Sequence, residues 1–111
     1  SSGVIVNSNV RIGGASMVTG GVRISRDVPP FIVATDNPVR YGGVNETLLK
    51  SSGTTDKVIG HIANAYRLVF HGQTSVFDAV IQIKEQVPEG KEVNAIIEFI
   101  KGTQLGIIGK I

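Results

Sequence analysis

The sequence predicts the end coils of a left-handed parallel β-helix, built from hexapeptide repeats, followed by a small α-helical bundle. Two observations predict this fold class. A six-residue repeat opens the chain, and three later stretches carry apolar residues at helical spacing. Four hexads make little more than one coil, whereas such solenoids need about three or more stacked repeats. We therefore expect further coils, other subunits or both to complete the core.

The repeat runs from Val4 to Val28. The first and third residues of each unit point the same way along a strand, so they should fill the inside of the coil. Ser16 is the one weak first position, and Gly and Asn collect at the far end of the units, where turns require positive φ. Two ordinary strands with glycine turns are the alternative. The aliphatic pairs are Val4 and Val6, Val10 and Ile12, and Val22 and Ile24.

Val28-Pro29-Pro30 is expected to end the repeat, because proline cannot donate to a sheet ladder and keeps its predecessor extended. A short strand over residues 31–34, a loop over 35–43 and a short helix over 45–50 are predicted next. Three domain regions follow from this division. They are the terminal coils of the β-helix at 1–30, a loop and connecting segment at 31–53, and an α-helical domain at 54–111.

Three longer helices are predicted in that last region. Thr54-Thr55-Asp56 offers an N-cap for the first, which should run for about four turns and close before Gly72. Ser75 caps the second, Pro88 stops it, and the third covers residues 91–101. Short connections favour antiparallel packing of these helices. The tail, residues 105–111, has no periodicity that predicts a structure.

Composition narrows the function classes. The net charge is +2, from 11 Lys and Arg against 9 Asp and Glu, and these charges do not cluster with aromatic residues, which disfavours nucleic acid as a partner. No apolar run reaches the roughly 20 residues that span a bilayer, and no signal peptide is recognisable. The absence of Cys fits a cytoplasmic protein. The chain begins at Ser1, within a patterned segment, so we expect a fragment of a longer protein.

Several motifs, taken in order, resemble those of the bacterial UDP-N-acetylglucosamine O-acyltransferases, which begin lipid A synthesis. Hexapeptide repeats alone are common to many acyltransferases, and the order of these motifs ahead of a helical segment narrows the resemblance to the C-terminal part of this family. The motifs are Ser25-Arg26-Asp27-Val28-Pro29-Pro30-Phe31, Gly42-Gly43-Val44-Asn45, Leu49-Lys50, Asn64-Ala65-Tyr66-Arg67 and Gly106-Ile107-Ile108.

The resemblance implies a homotrimer with active sites between subunits, moving a 3-hydroxyacyl group from acyl carrier protein to the 3-hydroxyl of UDP-N-acetylglucosamine. It implies no cofactor and no metal. The family's general base is a histidine about two coils upstream of the segment that matches residues 2–13, so we expect no catalytic residue in this chain. His61 and His71 fall on predicted helices outside the family's catalytic motif. The isolated chain should therefore be inactive.

The resemblance also implies a substrate-binding set that departs from the family pattern. Where the family has His-Gln-Phe, this chain has Asn7-Ser8-Asn9. Gly20 falls where the family measures acyl-chain length by the bulk at one coil corner. A glycine there either leaves room for a long acyl chain or meets the backbone geometry of a turn. The family's paired arginines, suited to bidentate phosphate contacts, are replaced by serines. The alternative is that these serines only stop the short helix predicted over residues 45–50. The implied substrate-binding residues are Asn7, Ser8, Gly20, Asn45, Lys50, Ser51 and Ser52.

These departures leave two functions open. The chain is part of a divergent catalytic acyltransferase whose base lies elsewhere, or part of a non-catalytic trimeric module of the same fold that binds or scaffolds. A small basic nucleic-acid-binding domain is a disfavoured third reading.

Overall fold

Short strands come first in the chain and helices follow. The computed structural model describes residues 5–6, 10–19, 23–24, 26–35, 40–72 and 75–109. The strands are β1 (Ile5–Val6), β2 (Met17–Val18), β3 (Arg23–Ile24), β4 (Ile32–Thr35) and β5 (Arg40–Val44). The helices are α1 (Glu46–Ser51), α2 (Asp56–Phe70), α3 (Val76–Gln86) and α4 (Lys91–Lys101).

The first three strands lie in stacked parallel turns of chain. β1 pairs in parallel with β3, and Ile5 lies opposite Arg23. The difference in residue number, 23 − 5 = 18, is three hexads, as one three-sided coil requires. A second parallel contact joins Ile12 and Val28. These registers confirm the parallel stacking that the repeat predicts, because the alternative of two strands joined by a glycine turn would pair antiparallel.

The stacking continues past the two prolines, contrary to the expected end of the repeat at Val28-Pro29-Pro30. β2 pairs in parallel with β4, which places Met17 opposite Val33. The prolines are tolerated because they lie at a corner, where the ladder needs no amide from them. The corner stacks tightly on the previous one, since a Cβ at Gly13 would lie 2.3 Å from the Pro30 nitrogen.

The segment expected to be a loop over residues 35–43 contains a strand. β5 is antiparallel to β4, with a register shift between Ile32 and Ala34. Two glycines make this irregular pairing feasible. Gly43 has φ +111°, which favours glycine, and a Cβ at Gly42 would lie 2.8 Å from the Thr35 Cγ2 atom. Residues 36–39 lie outside the described part of the chain.

The helices match the sequence predictions. Thr55 caps α2 through a bond from the Val58 amide, and Ser75 caps α3 in the same way. α4 covers the predicted residues 91–101, and α1 lies in the predicted position before Ser52. α2 packs against both α3 and α4, and those two pack against each other. The three domain boundaries given above stay predictions.

A single apolar cluster joins the coil to the helices. The coil supplies Ile24, Val28 and Ile32, all with no exposed side-chain surface, and the helical part supplies most of the remainder. Ile12, expected at an inner position, is instead 44% exposed. Other fully buried members are Ile62, Ala65, Tyr66, Val69, Ala79, Ile83, Ile96 and Ile100.

The tail, for which the sequence predicted no structure, returns to the coil. Ile107 forms a parallel bridge with Asp27, and the Asp27 amide donates to the Gly106 carbonyl at 2.8 Å. The buried Asp27 carboxylate accepts from the Arg11 amide at 2.8 Å and from the Thr103 hydroxyl at 2.6 Å. This one carboxylate therefore ties the coil to the chain that leaves α4.

Candidate functional site

An open groove of about 680 Å³ separates the outer face of the coil from the start of α1. Met17 on β2 and Val33 on β4 form the coil wall, and these two residues are directly paired in the sheet. Met17 is 49% exposed and Leu48, on the opposite wall, is 41% exposed. The full lining is Met17, Val33, Val44, Asn45, Glu46, Thr47, Leu48 and Ser51.

Asn45 lies at the junction between this groove and the coil. It is the N-cap residue of α1, and its side-chain oxygen accepts from the Leu48 amide at 3.5 Å. Its side-chain nitrogen donates to the Ala15 carbonyl at 3.1 Å. Its backbone amide donates to the Phe31 carbonyl at 2.7 Å. Asn45 is only 8% exposed, so its polar groups mainly serve the protein itself.

Lys50 lies one turn further along α1, between two carboxylates. Its Nζ atom is 4.0 Å from a Glu46 oxygen and 3.9 Å from an Asp56 oxygen. These residues border a second open cleft, of about 420 Å³, with Tyr41 and Gly60 among its other lining residues. Lys50 is more than half exposed, so these ion pairs are solvent-screened and leave it able to exchange partners.

Ser51 and Ser52 end α1, as the sequence predicted for a helix stop. Both hydroxyls donate to the Leu48 carbonyl at 2.9 Å. The same carbonyl also accepts the Ser52 backbone amide at 3.0 Å, so the two hydroxyls turn back onto the end of the helix in local side-chain bonds. The pair therefore closes the helix where the family pattern has two arginines.

The groove carries little positive charge. Among the lining residues that the structure describes, the only formal charge is the carboxylate of Glu46. The nearest described cation on α1, Lys50, has its charge balanced by Glu46 and Asp56. The described lining therefore offers a phosphate none of the bidentate donors that anion sites normally use.

The structure brings four of the sequence-predicted site residues together on one short helix: Asn45, Lys50, Ser51 and Ser52. The other three, Asn7, Ser8 and Gly20, lie outside the described residues. Within the described ranges, no group of three or more His, Asp or Glu side chains is placed to hold a metal ion.

The sequence reasoning missed the coil wall of the groove. Met17 is the second residue of its hexad, between the inward first and third positions, and strand alternation turns such a residue away from the coil interior. That alternation was the available signal, since it distinguishes Met17 from the inward positions on either side.

His61 and His71 both lie at the helical positions that the sequence indicated. His61 is half-buried on α2, and His71 is the exposed C-cap residue of that helix. Neither lines the groove beside α1.

An aromatic group supports the helical side of the site. The Tyr41 and Phe70 rings stack with centroids 4.3 Å apart, and Tyr66 lies 5.8 Å from each of them. The Tyr66 hydroxyl donates to the Pro30 carbonyl at 2.6 Å. Burial, and to a lesser extent the nearby Tyr41, raises the pKa of Tyr66 well above its usual value of 10.0. Burial also raises the pKa of Tyr41.

The described helices include none that is both long enough and apolar enough to cross a membrane.

Stacked parallel turns of about three hexads, joined to packed helices, define a protein of the hexapeptide-repeat class. Residues 27–108 match the family model described as Udp N-acetylglucosamine O-acyltransferase, domain 2. The chain belongs to this UDP-N-acetylglucosamine O-acyltransferase family.

Relatives and solved structures agree with this assignment. The acyl-(acyl-carrier-protein)–UDP-N-acetylglucosamine O-acyltransferase of Paraburkholderia phymatum is 34% identical over 107 residues, which are 93% of this chain and 41% of the relative. The crystal structure of LpxA from Bacteroides fragilis matches 96% of this chain and 42% of that one, with a TM-score of 0.94 and 34% identity. LpxA from Acinetobacter baumannii matches with a TM-score of 0.90 and 26% identity, over 96% of this chain and 43% of that one. The chain thus spans about two-fifths of the length of the relatives it matches.

Proposed function

We propose that this chain is the C-terminal part of an O-acyltransferase that moves a 3-hydroxyacyl group from acyl carrier protein to the 3-hydroxyl of UDP-N-acetylglucosamine, in lipid A synthesis. The observation that carries the proposal is the family match over residues 27–108, together with the open groove beside α1. Relatives covering 93% of the chain carry the name of this reaction. The proposed compartment is the cytoplasm.

The proposed assembly is a homotrimer of left-handed β-helices, each ending in a small helical bundle. Two observations support it. Ile12 leaves apolar surface exposed on the coil, at 44%, and Phe77 and Ile81 do so on α3, at 56% and 59%. Further coils and neighbouring subunits would cover such surface. Light scattering on the full-length protein should give the trimer mass, and a stable monodisperse monomer would contradict the β-helix trimer.

The proposed substrate site combines residues from the coil and from α1. Asn45, Lys50, Ser51 and Ser52 surround the start and end of α1, and Asn7, Ser8 and Gly20 complete the set implied by the family pattern. Lys50 supplies the positive charge, as a point charge and not a bidentate fork. The general base is supplied by coils upstream of this segment, so no residue here is assigned a catalytic role.

A non-catalytic binding or scaffold module is the second candidate, and the end of α1 favours it. The Ser51 and Ser52 hydroxyls are bonded to Leu48, and Lys50 is balanced by two carboxylates, so phosphate affinity here is low.

The deciding experiment is acyl transfer by the full-length protein. Purified protein is incubated with 3-hydroxyacyl-acyl carrier protein and UDP-N-acetylglucosamine, and the product is followed by mass spectrometry. The 111-residue chain serves as the matched control and should be inactive, because the base is missing. Turnover by the full-length protein alone supports the transferase. Binding of UDP-N-acetylglucosamine without turnover supports the scaffold, and turnover by the short chain contradicts the placement of the base.

A further inference from the structure

Successive turns of the coil do not stack with one constant offset. On the first side Ile5 lies opposite Arg23, which is an offset of 23 − 5 = 18 residues. On the next side Ile12 lies opposite Val28, and the offset there is 28 − 12 = 16 residues. The pairing of β2 with β4 keeps the smaller offset, 33 − 17 = 16. The first turn therefore takes up two more residues than the second turn between these two sides.

The two extra residues belong to one stretch of the first turn. Between the paired positions of the two sides, the first turn has five residues, 7–11, whereas the second turn has three, 25–27. Because side chains alternate with a period of two, a shift of two residues leaves the inward and outward positions unchanged. The shift thus lengthens one stretch without disturbing the core. That longer stretch contains Asn7 and Ser8, which belong to the proposed substrate site.

The Asp27 carboxylate lies at the point where the offset changes. The Val28 amide donates to the Arg11 carbonyl at 2.9 Å, and the Val28 carbonyl accepts from the Gly13 amide, as in a parallel ladder. The Arg11 amide donates to the Asp27 Oδ1 atom at 2.8 Å, where a regular ladder would use a main-chain carbonyl. Asp27 is 1% exposed, so water does not compete for this bond. A buried side chain thus holds the last amide of the longer stretch.

The C-terminal tail holds Asp27 from the other side. Its amide donates to the Gly106 carbonyl at 2.8 Å, and its carbonyl accepts from the Ile108 amide at 3.0 Å. Its Oδ2 atom accepts from the Thr103 hydroxyl at 2.6 Å and lies 3.4 Å from the Arg11 Nε atom. Both main-chain groups and both carboxylate oxygens are engaged, which restricts the side chain to one orientation.

We propose that Asp27 is a positioning residue, which sets the offset between the two turns and thereby the length of the stretch that carries Asn7 and Ser8. It acts on that stretch through the Arg11 amide and does not touch the ligand. The tail takes part by fixing the orientation of Asp27. The ligand-binding part of this proposal rests on the proposed function, whereas the register part stands on the hydrogen bonds of Asp27.

The test compares three variants of the full-length protein with the wild type. Asp27→Ala removes the acceptor of the Arg11 amide. Asp27→Asn keeps one oxygen for that amide, and Thr103→Val removes the bond from the tail but leaves the carboxylate in place. The KM and kcat for UDP-N-acetylglucosamine are measured for each protein at a saturating concentration of the acyl donor.

We expect Asp27→Ala to raise KM about threefold to tenfold with kcat little changed, since the ligand must then order a stretch that one hydrogen bond no longer holds. Asp27→Asn and Thr103→Val should keep KM within about twofold of the wild type. A loss of stability alone would lower the active fraction, and with it the apparent kcat, but would leave KM unchanged. An unchanged KM for Asp27→Ala overturns the proposal. An equal rise in KM for either of the other variants also overturns it.

Amide hydrogen exchange in the wild type tests the register part without any variant or activity. The Arg11 amide should open with about the same free energy as the amides of Gly13 and Val28, since the side chain and the ladder form one arrangement. An Arg11 amide that exchanges freely while the other two stay protected overturns the proposal. If the wild type does not turn over UDP-N-acetylglucosamine, the proposed function fails, and if Asp27→Ala does not fold, only the kinetic comparison is lost. In both cases this measurement still decides the role of Asp27.

Discussion

Replacement of Tyr66 by Phe tests how strongly the helices are attached to the coil. The Tyr66 hydroxyl is fully buried and donates to the Pro30 carbonyl at 2.6 Å, and Pro30 is itself buried. Phe keeps the ring and its packing but leaves that carbonyl without its partner. An unsatisfied buried acceptor costs about 1–3 kcal/mol, so the free energy of unfolding should fall by that amount.

Tyr41→Phe is the matched control. Tyr41 belongs to the same aromatic group and stacks on Phe70, yet it is half-buried, and within the described residues its hydroxyl has no hydrogen-bond partner. Its replacement should change the free energy of unfolding by less than about 0.5 kcal/mol. Both variants are measured by urea denaturation with circular dichroism at equal protein concentration, because an oligomer's apparent stability depends on concentration.

Alkaline pH adds an independent readout. The pKa of Tyr66 is raised in the folded state, so above pH 10 the unfolded state loses this proton while the folded state keeps it. The free energy of unfolding should therefore decline as pH rises beyond about 10, with a slope of up to about 1.4 kcal/mol per pH unit from this residue.

Tyr66→Phe removes this pH dependence, so the difference in the free energy of unfolding between the wild type and the variant should become smaller above pH 10. The smaller effect of Tyr41 remains in both proteins. Equal losses of stability for the two Phe variants at pH 7 would contradict a role for the Tyr66 hydroxyl bond. A stability difference for Tyr66→Phe that widens at alkaline pH would do the same.

Three further predictions concern the coil and α1. Asp27→Asn should lower the free energy of unfolding by about 3 kcal/mol, because the new side-chain NH2 group faces groups that are themselves hydrogen-bond donors. Thr103→Val removes one hydrogen bond, so the free energy of unfolding should fall by about half as much. Equal losses for the two variants in urea denaturation would contradict this prediction. Ser51→Arg with Ser52→Arg should tighten UDP-N-acetylglucosamine binding about tenfold in calorimetry and make it salt-sensitive, and unchanged affinity would count against a phosphate position there. Ala15 has φ +58°, so Ala15→Gly should raise the free energy of unfolding by about 0.5–1 kcal/mol, and a loss would show that the positive φ carries no strain.

The helices were predictable because their signals are local. Thr55 and Ser75 cap their helices within three residues, and Pro88 stops α3 one turn before α4 begins. The parallel coil was predictable because a fixed period leaves few ways to stack.

Two elements were not predictable because their partners are distant or irregular. β5 forms only because Gly42 and Gly43 permit a bulged pairing with β4, and the same glycines indicate a loop when the sequence is read alone. Ile107 has no periodic neighbours, and its strand-like conformation depends on Asp27.

The segment that carries the candidate site residues was predictable, whereas their role in binding stays a prediction. The family pattern placed Asn45, Lys50 and the serines on one segment, where the structure places them. The hydrogen bonds from Asn45 to Ala15 and Phe31 could not be predicted from the sequence. Both acceptor residues have a positive φ, which neither alanine nor phenylalanine favours.

The bridge between Asp27 and Ile107 has a consequence for the order of folding. The two residues are 107 − 27 = 80 positions apart, and all four helices lie between them. The edge of the last coil therefore stays open during synthesis until the tail has left the ribosome. An open strand edge readily pairs with another chain, so nascent or truncated molecules should be the ones that aggregate. In the folded chain the tail pairs with that strand edge. The pairing of the tail is therefore the folding step after which the edge is no longer exposed.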